Sequence, residues 1–272
     1  MTATEPDAHY ALRLSPDELE RYRFMAQRAR VQEADLWELA GLRAGARVVD
    51  VGCGPGAMLL ALAECVGPHG AVAGVDGDPE AVATARSVLA GAGIHRAGVR
   101  QGRADATGLP AGSYDVAVLR HVLAHNGGAE QRIVSHLASL VRPGGHVYLL
   151  DVDASAAGID PSSPDIEDMT ERYARWHAER GNDVRVGRRL ATLARSAGLE
   201  VDAFRGWFDI QPLPVGVRGP AWAARDAMVA SGIADAGDVA RWGAAAAAMD
   251  DRSERPEIMI AVFAAVAHRP AS

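Results

Sequence analysis

The chain has 272 residues, 49% of them apolar, 23% charged and 5% aromatic, and a formal charge of −7. That composition excludes disorder and collagen-like repeats, and the length is enough to bury a sizeable core. The acidic balance argues against nucleic acid as the main partner. No apolar run approaches the roughly 20 residues that span a bilayer, and residues 1–5 lack a charged-then-apolar leader pattern, so a cytoplasmic chain without a membrane partner is expected. Cys53 and Cys65 have no ligand-type spacing around them, which excludes a disulfide scaffold and a thiolate zinc site. All 28 basic residues are arginine. Without lysine there is no Schiff base, no Walker-type phosphate lysine and no Tyr-x-x-x-Lys dyad.

Residues 1–14 read as an arm. Ser15-Pro-Asp-Glu18 supplies an N-cap, a proline at the first helical position and acids in the first turn, which predicts a helix from Pro16 to about Ala40. Arg47–Val51 reads as a buried strand, Ala57–Val66 as a helix, Ala71–Val75 as a strand, and Asp78-Pro-Glu80 opens a helix closing near Gly91. Strands at Val99–Gly102, Tyr114–Leu119 and Gly145–Val152 follow, with a helix at Glu130–Val141. Strands alternating with helices predict βαβ units and a parallel sheet covered on both faces. Residues 154–187 are polar and helix-prone and read as an inserted cap. A helix at Leu190–Ala197, a strand at Leu199–Ile210, two alanine-rich helices over Pro220–Met249 and a last strand at Ile258–Ala267 complete the chain.

The strongest local signal is Val48-Val-Asp-Val-Gly-Cys-Gly-Pro-Gly56. A strand ends, glycines allow close backbone approach, and a helix N-terminus follows, which is where a nucleotide-like cofactor lies in an open α/β sheet. Gly52-x-Gly54-x-x-Ala57 also fits the degenerate dinucleotide pattern, and Asp76 lies near the distance of a ribose-binding acid. On this loop alone an NAD-linked oxidoreductase remains open. Asp50 before the first glycine, the donor removed by Pro55 and a second acid at Asp105 lean away from a pyrophosphate.

With these motifs in order, the sequence resembles the class I S-adenosylmethionine (SAM)-dependent methyltransferases, most of all small-molecule enzymes of the ubiquinone and menaquinone type and actinobacterial natural-product methyltransferases. Four motifs carry the resemblance over residues 46–152: the glycine loop, Gly74-Val-Asp-Gly-Asp78, Gly102-Arg-Ala-Asp-Ala106 with Leu109-Pro110, and Tyr114–Leu123 leading to Arg142-Pro-Gly-Gly145. The resemblance implies a Rossmann-like, seven-stranded, mostly parallel sheet in the order 3-2-1-4-5-7-6, with helices on both faces and a helical cap. It implies residues 1–45 as a lid and 46–272 as the SAM-binding domain, with cap insertions at about 154–187 and 217–250. Asp50, Gly52, Gly54, Asp76, Gly77, Asp105, Ala106 and Arg120 become the expected cofactor residues.

The acceptor side is read from Arg120-His-Val-Leu-Ala-His-Asn126 and the cap. His125, with His121 beside it, is the expected general base, since imidazole titrates near operating pH. His177, Arg180 and Asn182 from the cap, Trp207, and Tyr22 with Met25 from the N-terminal helix are expected to contact the acceptor or cofactor. Glu167, Glu171 and Ala174 fall on one helical face. Arginines near histidines favour a small anionic or phenolic acceptor. A second version, an isoprenyl diphosphate such as geranyl diphosphate methylated at carbon, needs Glu171 as proton acceptor, carbocation-facing aromatics among Trp176, Phe204, Trp207, Phe208 and Tyr22, and a divalent metal such as Mg on the diphosphate. Otherwise no metal is expected. A fold that binds SAM without transferring methyl has the same cofactor motifs, and the alanine-rich helices serve either pocket closure or a homodimer contact.

Overall fold

The computed structural model describes residues 16–271; the predicted arm and the Ser15 cap lie outside the described residues. Helix α1 (Pro16–Gln32) is followed by α2 (Ala34–Leu39), then β1 (Arg47–Val51), α3 (Ala57–Val66), β2 (Ala71–Asp76), α4 (Pro79–Gly91), β3 (Gly98–Gln101), β4 (Tyr114–Arg120) and α5 (Glu130–Leu140). The chain continues through β5 (Val141–Asp160), α6 (Pro164–Glu179), α7 (Leu190–Ser196), β6 (Glu200–Pro212), α8 (Pro220–Ala223), α9 (Arg225–Ala230), α10 (Ala236–Asp250) and β7 (Glu257–His268).

The seven strands form one sheet in the order β3-β2-β1-β4-β5-β7-β6. β1 to β5 are parallel, and β7 inserts antiparallel between β5 and β6. Val48, Val116 and Tyr148 point to the face covered by α3 and α4, while Val49, Ala117 and Leu149 point to the face covered by α5 and α7, as period-two alternation requires. Both faces are buried, so the central strands read as continuous apolar runs. A third core lies outside the sheet. Ile166, Met169, Tyr173 and Trp176 of α6 pack with Ala224, Met228 and Trp242 of the later helices, so the two cap segments share one core.

Four local expectations are corrected. The N-terminal helix breaks at Glu33, whose side chain is buried at 3% exposure and turned into the protein. Residues 154–160 extend β5 instead of joining the cap, pairing Gly158–Asp160 with β7 after a register shift. The stretch from Pro220 holds three helices, because Asp235 starts a separate capping box for α10. On α6 the inward face is Ile166, Met169, Tyr173, Trp176 and His177, and Glu167 and Glu171 are exposed.

Candidate active site

The C-terminal ends of β1, β4 and β5, α1 and the cap enclose one cavity of about 1510 Å³. A single small-molecule pocket is roughly 300–1,000 Å³, so this cavity has room for two ligands side by side. Among the described residues, five buried side-chain polar atoms have no hydrogen-bond partner: Asp50 Oδ2, Arg120 Nε, Trp176 Nε1, His177 Nε2 and Trp207 Nε1. All five residues line this cavity. Orphaned buried polar atoms are costly in a folded protein, so their concentration here marks a place built for ligands.

On the cofactor side, β1 delivers Asp50 and turns through Gly52, Gly54 and Gly56, at φ of 78°, 51° and 90°. A Cβ at Gly52 would overlap Val122 Cγ2, and one at Gly54 would meet the Tyr22 ring at 3.4 Å. The loop therefore has to be glycine both for its backbone and for space. Asp76, at the end of β2, accepts hydrogen bonds from Gly54 N–H (2.8 Å) and Asp78 N–H (2.9 Å), which fixes the loop against β2. Burial raises its pKa despite those bonds. Asp50 is 2% exposed, and burial pushes its carboxyl up to about 7, against the pull of Arg120 and with a smaller push from Asp76. Asp105 is held below the ordinary carboxylate range, first by Arg103 and then by Arg132.

Arg120 donates to Glu33 Oε1 at 2.5 Å, and Glu33 Oε2 accepts from Trp37 Nε1 (3.1 Å) and the Tyr148 hydroxyl (2.8 Å). Glu33 thus anchors Arg120 from behind and leaves Nε facing the cavity wall. A buried carboxylate and a buried guanidinium, each with one unpartnered atom, match the ammonium and carboxylate of an amino-acid ligand. With the glycine cradle and the acid on β2, the residues fit SAM. Gly77 is exposed on the cavity wall, and its carbonyl accepts from Gln101. Ala106 is the expected cofactor residue that the fold leaves outside the cavity, and its N–H is bonded to Arg103 O at 3.1 Å.

On the acceptor side, His121 follows β4 with φ 56°, the single non-glycine residue of positive φ among the described residues. Burial, then Arg120, Arg21 and His125, hold its pKa well below 6.5. His125 sits in the turn Leu123–His125, and burial, then His177 and Arg21, lower it to about 4. His177, 1% exposed on α6, lies 5.1 Å from His125 between ring centroids and is also lowered to about 4, by burial and then Arg180. Both rings are therefore neutral at pH 7.

The proton on His177 can be placed. Asn182 Oδ1 accepts from Gly127 N–H at 2.9 Å, which orients the amide so that Nδ2 donates to His177 Nδ1 at 2.9 Å. His177 then carries its proton on Nε2, the atom without a protein partner. Gly127 makes this relay: a Cβ there would overlap the Gly181 carbonyl. Arg180 is exposed at the rim and stacks on Trp176 at 4.1 Å, with no carboxylate partner among the described residues. Trp207 and Tyr22 line the cavity, whereas Phe204 (42% exposed) and Phe208 (57%) point away from it, which removes both from the candidate aromatics. Glu167 and Glu171 are exposed, and both border the cavity.

Sequence reading missed Glu33 and Asp151. Asp151, 1% exposed at the cavity end of β5, accepts from Ala124 and Val152 N–H, and burial raises it to about 7. An acid inside a predicted buried apolar strand was the available signal; Glu33 had none.

The family model described as a methyltransferase domain matches residues 20–203. The chain belongs to this family and, with it, to the class I SAM-dependent methyltransferases. It is 32% identical over 209 residues to an uncharacterised 37.1 kDa protein in a transposon of Streptomyces fradiae, covering 72% of this chain and 59% of that one. It is also 38% identical over 115 residues to the nocamycin O-methyltransferase of Saccharothrix syringae, covering 42% of this chain and 40% of the relative. The chain thus spans about half the length of these relatives. A SAM-dependent methyltransferase from Aquifex aeolicus shares the fold at a TM-score of 0.51 and 18% identity, over 68% of this chain and 90% of that one. The family sets aside the NAD reading. No helix among the described residues is long and apolar enough to cross a membrane.

Proposed function

We propose that the chain transfers a methyl group from SAM to the oxygen of a small phenolic acceptor that also carries an anionic group. The observation that carries this reading is the pair of neutral histidines, His125 and His177, in a cavity large enough for two ligands. Bound SAM supplies an electrophilic methyl on a sulfonium sulfur. Asp50, Asp76, Asp105 and Arg120 hold it, and Tyr22 closes over the glycine loop. His125 takes the proton of the acceptor hydroxyl, which neutral imidazole can do. The Nε2–H of His177 donates to a neighbouring acceptor oxygen and fixes its orientation. Arg180 meets the anionic group at the mouth, and Tyr173, Trp176 and Trp207 exclude water. His121 positions the turn that carries His125.

The nocamycin relative is named an O-methyltransferase, which supports oxygen as the acceptor atom. A prenyl diphosphate acceptor with Mg has less support, because Glu171, although it borders the cavity, is exposed, and Phe204 and Phe208 lie outside the cavity. Turnover of methyl-labelled SAM against a panel of phenolic acids tests the proposal. His125→Ala is expected to lower kcat by about 10²–10⁴-fold while S-adenosylhomocysteine binding stays unchanged. Wild-type turnover by His125→Ala would remove the base from the account.

A further inference from the structure

The ends of β5, β6 and β7 opposite the cavity bring together three side chains that methyl transfer does not use. His146 on β5 pairs directly with His268 on β7, and Glu200 on β6 pairs with the other side of His268. The register of β6 against β7 shifts between Val201 and Ala203, so Asp202 is an extra, bulged residue. A bulge re-aims the side chain it carries, and here it turns the Asp202 carboxylate onto the histidine pair. His268 Nδ1 lies 2.8 Å from Asp202 Oδ1. His146 Nε2 lies 3.8 Å from Asp202 Oδ2, too far for a hydrogen bond. The three residues keep only 26%, 25% and 29% of their side-chain surface exposed, and one ligand atom from each falls within 4.8 Å of the others. Asp151, at the cavity, is five residues along β5 from His146, about 17 Å at strand rise.

We propose that His146, Asp202 and His268 form a binding site for a divalent transition-metal ion of the zinc type, which clamps the edge strand β6 to β7 and β5. Two imidazoles and one carboxylate suit zinc-like ions over magnesium, and three protein ligands leave a fourth tetrahedral position for water. One outer carboxylate is also present. His268 Nε2 lies 3.3 Å from Glu200 Oε2, the carboxylate–histidine–metal arrangement that orients a ligating imidazole and raises its basicity. The clamp has a use at this edge: β6 is the outermost strand, and its 13 residues pair only on the β7 side.

Calorimetric titration of Zn²⁺ into the untagged, metal-free full chain tests the site. One site is expected, weakened by about 100-fold in His146→Asn, Asp202→Asn or His268→Asn and by about 10-fold in Glu200→Gln, as loss of an outer partner typically does. His125→Ala should bind as wild type does, which separates this site from the histidines of the cavity. Co²⁺ should give the visible absorption of a four-coordinate ion in wild type alone. Should a ligand variant unfold, Glu200→Gln, which removes no ligand, still has to show the weakened binding. Failure of the wild type to bind Zn²⁺ below about 1 mM, or equal affinity and stoichiometry in a variant combining His146→Asn, Asp202→Asn and His268→Asn, would overturn the proposal.

Discussion

At Asp50, burial and an unpartnered Oδ2 place the titration midpoint at about 7, in the range where the cofactor has to be bound. An ammonium group binds the ionised carboxylate, so below about 7 the protein must first release a proton. Affinity for S-adenosylhomocysteine is therefore expected to fall toward tenfold per pH unit below the midpoint and to level off above it. Asp50→Asn should bind more weakly and with a flat profile; a sloping profile in the variant would move the effect to another group. The same shift bears on stability. A carboxyl whose folded pKa is raised to about 7 costs stability as pH climbs from its unfolded value near 4. Asp50→Asn should thus raise the urea midpoint of the cofactor-free protein at pH 8 and leave it unchanged at pH 4. His125 and His177, lowered to about 4, act oppositely and lose their contribution as pH falls from about 6.5 to 4. Asp50, Asp76 and the glycines were legible because a strand end followed by close-approach glycines is a local pattern. The proton on His177 was not, since it depends on Gly127 and Asn182, which are 50 and 5 residues away.

Helix α1 shows what a single misplaced charge does to an element. Residues 16–40 carry good helix formers, and nothing in their spacing announces a break. The break comes from tertiary demand: Glu33 is drawn inward by three donors, Arg120, Trp37 and Tyr148. Removing one partner of a buried ion pair strands the other charge, so Glu33→Ala is expected to cost about 3–5 kcal/mol in a denaturant titration. Cofactor affinity should fall with it, because Arg120 loses its anchor. A loss below about 1 kcal/mol would mean that the network does not hold Arg120. On helix α6 the apolar series Ile166, Met169, Tyr173 and Trp176 decides which way the helix turns, and His177 goes inward with it, while the acids at 167 and 171 stay exposed at the border of the cavity. Strand β5 outran its apolar signal because β7 pairs with residues 158–160 whatever their side chains.

Across the whole molecule, the alternation of elements made a parallel sheet covered on both faces readable, while the strand order came from the family resemblance that the four ordered motifs carry. The enclosure of the cavity was not, because it depends on α1 and on two cap segments, far apart in sequence, that share a core of their own. Trp242 is fully buried in that core, with its Nε1 donating to Asp168 at 2.9 Å. Trp242→Ala is expected to destabilise by about 3–5 kcal/mol and to raise KM for the acceptor more than it weakens the homocysteine ligand. Equal effects on both ligands would show that the cap does not belong to the acceptor side alone. The glycine-loop half of the cavity is built to hold SAM, and calorimetric titration of S-adenosylhomocysteine into cofactor-stripped protein, with NAD and Asp76→Ala as controls, checks this. One site is expected, weakened in Asp76→Ala, with no heat from NAD; no binding of the homocysteine ligand, or equal binding of NAD, would mean that the loop holds something else.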